Sequence, residues 1–172
     1  MLVSRRGFFA GASKVIGSAA ALSILNSLGA SVAQADGDEG GAIMPPLPAE
    51  TAGRFADLGY DPQQVYAVFC NVQEAFREKD LSKLSKVVSF PMLLNTPNSS
   101  INIKNAQDLD RHKGTIFSDN FRNVVLEQQF ETIFLSSKGI MFGDGEVWLQ
   151  ALCPNQDCSN SIVRIVTMNV IK

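Results

Sequence analysis

The sequence predicts an α+β fold, with helices first and an antiparallel meander after them. Three observations carry this. Apolar residues recur at helical spacing from Val65 to about Leu126, the period changes to that of strands from Glu131, and the chain closes on a β-branched run from Ser161 to Ile171. Helices and strands are therefore segregated, where an alternating pattern would have predicted a parallel α/β sheet.

Each element has its own local reason. Asp61-Pro62-Gln63-Gln64 opens a helix: Asp61 can cap, Pro62 suits the first helical position, and Gln64 falls where it can reach back to the cap. Val65, Val68, Phe69, Val72 and Phe76 then share one face. Asp80 caps a short second helix, Leu81 to Val88, which Pro91 brings to an end. Leu93-Leu94 starts a strand, Pro97-Asn98-Ser99-Ser100 reads as a turn, and Ile101-Asn102-Ile103 alternates as a strand. Asn105, with Asp108 three residues on, opens a helix carrying Leu109; Ser118 caps another, with Phe121, Val124, Val125 and Leu126 inward. Ile133-Phe134-Leu135 and Gly139-Ile140-Met141-Phe142 read as strands, and Gly143-Asp144-Gly145 turns the chain into Glu146-Val147-Trp148-Leu149-Gln150.

The first 35 residues differ from everything after them. They hold Arg5, Arg6 and Lys14 and no acidic residue, then a moderately apolar stretch broken by Gly and Ser, and end Ala33-Gln34-Ala35. That order of charge, apolar run and small residues predicts a signal peptide cleaved between Ala35 and Asp36. Ser4-Arg5-Arg6-Gly7-Phe8-Phe9 resembles a twin-arginine export signal, with Ala10 in place of the usual Lys. It implies the twin-arginine machinery as a partner and a soluble periplasmic product. Residues 36–54 are Gly-, Pro- and acid-rich and read as a flexible spacer, so the folded domain is expected over 55–172. Beyond the leader stand 12 basic and 17 acidic residues, a formal charge of −5, which argues against nucleic acid as a partner.

In one order, the helix Val65–Phe76, the Ser89-Phe90-Pro91-Met92 bend, the Ile101-Asn102-Ile103-Lys104-Asn105 entry, Ile116-Phe117-Ser118 and the hairpin Gly139-Ile140-Met141-Phe142-Gly143-Asp144-Gly145-Glu146-Val147-Trp148 resemble the NTF2-like proteins secreted by bacteria. The resemblance covers about residues 62–171. It implies N-terminal helices packed on a strongly curved antiparallel sheet that encloses a cone-shaped cavity. The family includes isomerases and dehydratases with a cavity Asp or His, binding or dimerising modules, and accessory domains of cell-wall enzymes, so membership alone does not decide function.

Asp144 and Glu146 could serve as an acid–base pair if both entered one pocket of low dielectric. The Gly-Asp-Gly setting favours a turn former followed by a solvated strand start. His112 is the single histidine, in Asp110-Arg111-His112-Lys113. It is either a general base oriented by Asp108 or Asp110, or part of a solvated helix end. One His and no clustered Cys/His spacing predict no metal site, and no cofactor motif is visible. Cys153 and Cys158 flank four polar or turn-forming residues between two strands and predict a structural disulfide. Cys70 lies off the helix stripe and reads as a boundary apolar residue, with a cavity thiol or an intermolecular bridge as the sharper options. The aromatics are core by default; Met141 and Trp148, on adjacent hairpin strands, are the first candidates to line an apolar pocket.

These features favour a non-enzymatic periplasmic module that binds a small apolar ligand or a protein partner, or pairs as a homodimer. The alternative is a small lyase or isomerase using a cavity carboxylate or His112. An inhibitor or immunity-type protein of the envelope is a third option without specific support.

Overall fold

The computed structural model describes residues 43–155, 158 and 161–170. The leader, Arg5, Arg6, the Ala35/Asp36 cleavage point and residues 36–42 lie outside them. Among the described residues six α-helices, one 3-10 turn and six strands follow in order: α1 (Ala49–Asp57), α2 (Pro62–Glu78), α3 (Leu81–Val87), β1 (Val88–Thr96), β2 (Ser99–Ile103), α4 (Ala106–Arg111), α5 (Lys113–Ile116), α6 (Asp119–Glu127), the 3-10 turn (Phe130–Thr132), β3 (Phe134–Ser136), β4 (Gly139–Phe142), β5 (Val147–Leu152) and β6 (Ile162–Asn169). The fold is α+β, as the periodicity predicts.

The helix starts follow local chemistry. Asp61 accepts from the Gln63 backbone N–H, and Asp80 accepts from those of Ser82 and Lys83. Asn105 accepts from Asp108 N–H, while the Asp108 carboxylate accepts in return from Lys104 N–H. Two expectations shift. Gln64 does not reach back to its cap; its amide donates to Ser161 O, 2.9 Å away, and ties α2 to the chain entering β6. Ser118 holds the cap position of α6 without a side-chain cap bond.

Helix ends are closed by neighbouring helices. The Gln73 amide on α2 donates to Val125 O, Leu126 O and Gln128 O at the end of α6. Arg122 on α6 donates to Phe76 O and Arg77 O at the end of α2. Each helix thus satisfies carbonyls that the other's last turn leaves without intrahelical donors.

The expectation of a flexible spacer over 36–54 is corrected in its last part, where residues 49–54 are helical. α1 begins at Ala49; Phe55 is fully buried, Thr51 one turn earlier is buried too, and Met44 and Leu47 pack against the core. Local composition undercounts this segment because a few apolar side chains dock on residues far along the chain. Arg54 fixes the docking by donating to Ile133 O, 79 residues away.

The sheet is six-stranded in the order β2-β1-β6-β5-β4-β3. β3 to β6 form the expected antiparallel meander, and β2 pairs antiparallel with β1. The expectation of a wholly antiparallel sheet is corrected at one seam, since β1 and β6 run parallel. The last strand enters beside the first, a non-local pairing that no local pattern encodes. Strand alternation directs one side of the sheet to the helices. Phe142, Val147, Met168, Leu94 and Ile101 occupy one continuous cross-strand row on that side, and the first four are fully buried. Val72, Phe76, Leu84 and Phe121 from the helices belong to the same core.

Candidate functional site

Two places in the molecule concentrate features beyond core packing: the turn between β4 and β5, and the sheet face turned away from the helices.

The turn spans four residues, Gly143 to Glu146. Glu146 does not start a solvated strand, as expected; it is buried, 7 % exposed, and its Oε2 accepts from Asp144 N–H at 2.6 Å. The carboxylate folds back over its own turn. Gly143 makes this possible, because its φ is +61° and a Cβ there would collide with the Glu146 carboxylate and Val124. Side chains from distant segments hold the same turn. Gln128 Oε1 accepts from Gly143 N–H at 2.8 Å, Asn169 donates to Gly145 O, and Asn95 donates to Asn169 Oδ1 at 2.7 Å. Beside it, Asn120, Phe121, Val124, Glu146 and Asn169 line a cavity of about 240 Å³.

Asp144 itself is exposed, so the two carboxylates do not share one enclosed pocket. His112 sits elsewhere, at the junction of α4 and α5, with its backbone N–H donating to Leu109 O. Its suggested orienting partners are engaged locally: Asp108 pairs with Arg111 and Asp110 pairs with Lys113. The structure therefore does not assemble His112, Asp144 and Glu146 into one constellation. Among the described residues no group of three or more His, Cys, Asp or Glu side chains could hold a metal ion.

Cys153 and Cys158 are at disulfide distance, with Cα atoms 4.7 Å apart, in the connection from β5 to β6. Gln156 and Asp157 between them lie outside the described residues. Cys70 is half-buried and packs against the core. Tyr66, one helical turn before it, has its phenol pKa raised, first by a hydrogen bond with the Cys70 thiol and then by burial.

The outward face is read from the register. Phe134 pairs with Met141, Met141 with Trp148, Trp148 with Thr167, Thr167 with Leu93 and Leu93 with Asn102. These six form one row across all six strands, each next in sequence to a buried inner residue such as Leu135, Ile140, Phe142, Val147, Met168 or Leu94. Met141 and Trp148 thus line the face opposite the helix-packed core. Phe134 is 46 % and Leu93 40 % exposed, and the Phe134 and Trp148 rings meet edge-on with centroids 6.5 Å apart. Arg164 is the single charged residue in the six described strands. The sequence reading singled out Met141 and Trp148 but missed Phe134 and Leu93 as their companions. The near-absence of charge from the strands, Arg164 aside, was the signal that could have found them.

No family model, no curated protein and no solved structure matches this chain. Among the described residues no helix is long and apolar enough to cross a membrane.

Proposed function

We propose that this chain is an exported, NTF2-like binding module that acts by protein association through the outward face of its sheet, without chemistry of its own. The observation that carries this reading is the uncharged row from Phe134 to Leu93. The solvated face of an antiparallel sheet usually alternates polar residues outward, and strand faces exposed to water are usually protected by charge. Here four of the six outward row positions are apolar, Phe134, Met141, Trp148 and Leu93, beside the uncharged Thr167 and Asn102. The twin-arginine-like leader and the Cys153–Cys158 pair fit an oxidising compartment.

A small apolar ligand held between helices and sheet is the weaker form of the proposal. Four of the five inward-row side chains are fully buried, and Phe55, Phe76 and Phe121 belong to the same core. The lyase or isomerase alternative has one observation in its favour, the cavity of about 240 Å³ that Glu146 lines. In that reading Glu146→Gln would abolish turnover and leave association intact.

The test is the native mass of the protein isolated from the cells that make it, compared with its denatured mass. Association predicts a native mass well above that of one chain, made up by protein, and its loss in the Trp148→Lys variant. A bare single chain, or one carrying only a small molecule, would overturn the reading.

A further inference from the structure

We infer that the cavity beside the β4–β5 turn is a binding site for a small organic cation, a primary amine on a short apolar stem, with Glu146 as its counter-ion. The site is for binding alone and makes or breaks no bond. The cavity lies against α6, on the helix side of the sheet, so the site stands whether or not the outward face associates. Three observations point to it.

The first is the chemistry of the walls. The cavity is lined by Asn120, Phe121 and Val124 from α6, Glu146 from the turn and Asn169 from the end of β6. None of these is basic, and one is a carboxylate that is only 7 % exposed. A carboxylate accepts at about four positions, so receiving Asp144 N–H on Oε2 does not saturate it. Asn120 is exposed on the first turn of α6, and its amide oxygen offers a second acceptor at the mouth. Phe121 and Val124 supply the apolar wall for a stem. An anionic or purely apolar ligand would be pressed against a buried carboxylate without compensating it, whereas an ammonium group forms a charge-assisted bond. The net charge of −5 beyond the leader draws cations towards this surface.

The second is how firmly that carboxylate is placed. A tight hairpin connection needs only local turn chemistry. This one is also held by Gln128 on Gly143 N–H, Asn169 on Gly145 O and Asn95 on Asn169. The Asn169 backbone N–H donates in addition to Glu146 O at 2.7 Å, so a residue of the cavity wall fixes the backbone that carries the carboxylate. Gly143 leaves the space into which it folds. A polar group held before its ligand arrives loses less freedom on binding.

The third is size. At about 240 Å³ the cavity is smaller than the roughly 300–1,000 Å³ of sites for drug-sized ligands, which limits the stem to a few carbons. A bare metal ion suits it less. Calcium takes about six to eight oxygen ligands and magnesium a full octahedron, while these walls offer one carboxylate and two amides.

The experiment is an amide NMR titration of the purified chain with butylamine hydrochloride at fixed pH and ionic strength. Butanol and butyrate serve as neutral and anionic probes with a similar stem. Butylamine should give saturable shifts at Gly143, Asp144 and Glu146 and at the Asn120 and Asn169 side chains, with a Kd of about 1 mM. The two controls should not. Glu146→Gln keeps an acceptor for Asp144 N–H and should weaken the amine at least tenfold. Asn120→Trp, at an exposed position outside the turn, should block it. If Glu146→Gln does not fold, Asn120→Trp decides alone: lost shifts support the site, and unchanged shifts overturn it. No saturable shift up to about 50 mM butylamine, or butanol binding as tightly as the amine, would overturn the inference. Neither result touches the association reading, whose own test is the native mass.

Discussion

The two faces of this sheet are built from the same strands, often from neighbouring residues, yet they are finished differently. Leu94 points to the helices and is fully buried, while Leu93 beside it is 40 % exposed. Phe142 stacks on Phe69 with centroids 5.2 Å apart, whereas Met141 faces its strand neighbours Phe134 and Trp148 on the open side. The inner face is closed by helices that also cap one another's ends. On the outer face Phe134 and Leu93 are 46 % and 40 % exposed, and Met141, Trp148 and Thr167 between them in the row are half-buried. Burial of a large apolar side chain contributes about 1.5–3 kcal/mol, so the inner face supplies most of the fold stability, while exposed side chains such as Leu93 on the outer face supply less.

The adjacent leucines test that contrast most directly. Leu94→Ala should cost about 2–5 kcal/mol, because it empties a closed site. Leu93→Ala should cost less than about 1 kcal/mol, because its side chain is already 40 % exposed and its removal leaves no closed cavity. Urea denaturation of the two variants measures the difference. Equal costs for the pair would break the comparison.

The next effect lies at the rim where the faces meet. Gly143→Ala forces a Cβ into a φ of +61° and against the Glu146 carboxylate and Val124. The expected loss is roughly 2–4 kcal/mol, with a weakened Asp144 N–H protection in hydrogen exchange. A variant as stable as the wild type would mean that the turn is not organised by the Glu146 fold-back.

How much of this was legible follows from how local each cause is. Asp61, Asp80 and Asn105 cap their helices within three residues, and the sequence shows all three. The Gly139–Phe142 strand and the antiparallel meander follow from period and turn chemistry. Glu146 was misread because its burial depends on Val124 and on Gly143 having no side chain. The same holds for β1 beside β6, whose partners stand 74 residues apart at Asn95 and Asn169. The candidate site was legible in its residues and not in its grouping, since Met141 and Trp148 acquire Leu93 as a row-mate only through that parallel seam.

The Cys153–Cys158 pair sharpens the comparison from a third position, at the end of the sheet. It closes a loop only 5 residues in span, so its chain-entropy contribution is about 2 kcal/mol. Reduction should lower the unfolding free energy by about 2 kcal/mol and leave the chain folded. Unfolding on reduction would place the pair among the causes of the fold.

The smallest effect belongs to the solvent side of the helices. Lys83 on α3 meets Glu74 at 2.6 Å and Glu78 at 2.8 Å on α2, and these bonds raise its pKa above the ordinary 10.5. All three side chains are partly in water, so the clamp contributes little and weakens with salt. Its sign is nevertheless fixed. A raised folded pKa gives a contribution fully present below pH 10.5, and it declines as pH rises from there through the folded value, because the unfolded chain releases the proton first. Lys83→Met should therefore be slightly less stable than the wild type at pH 7 to 9, with the gap narrowing above pH 10.5. A gap that widens in alkali would show that the carboxylates of α2 do not hold this lysine, and that α2 and α3 are joined by their buried faces alone.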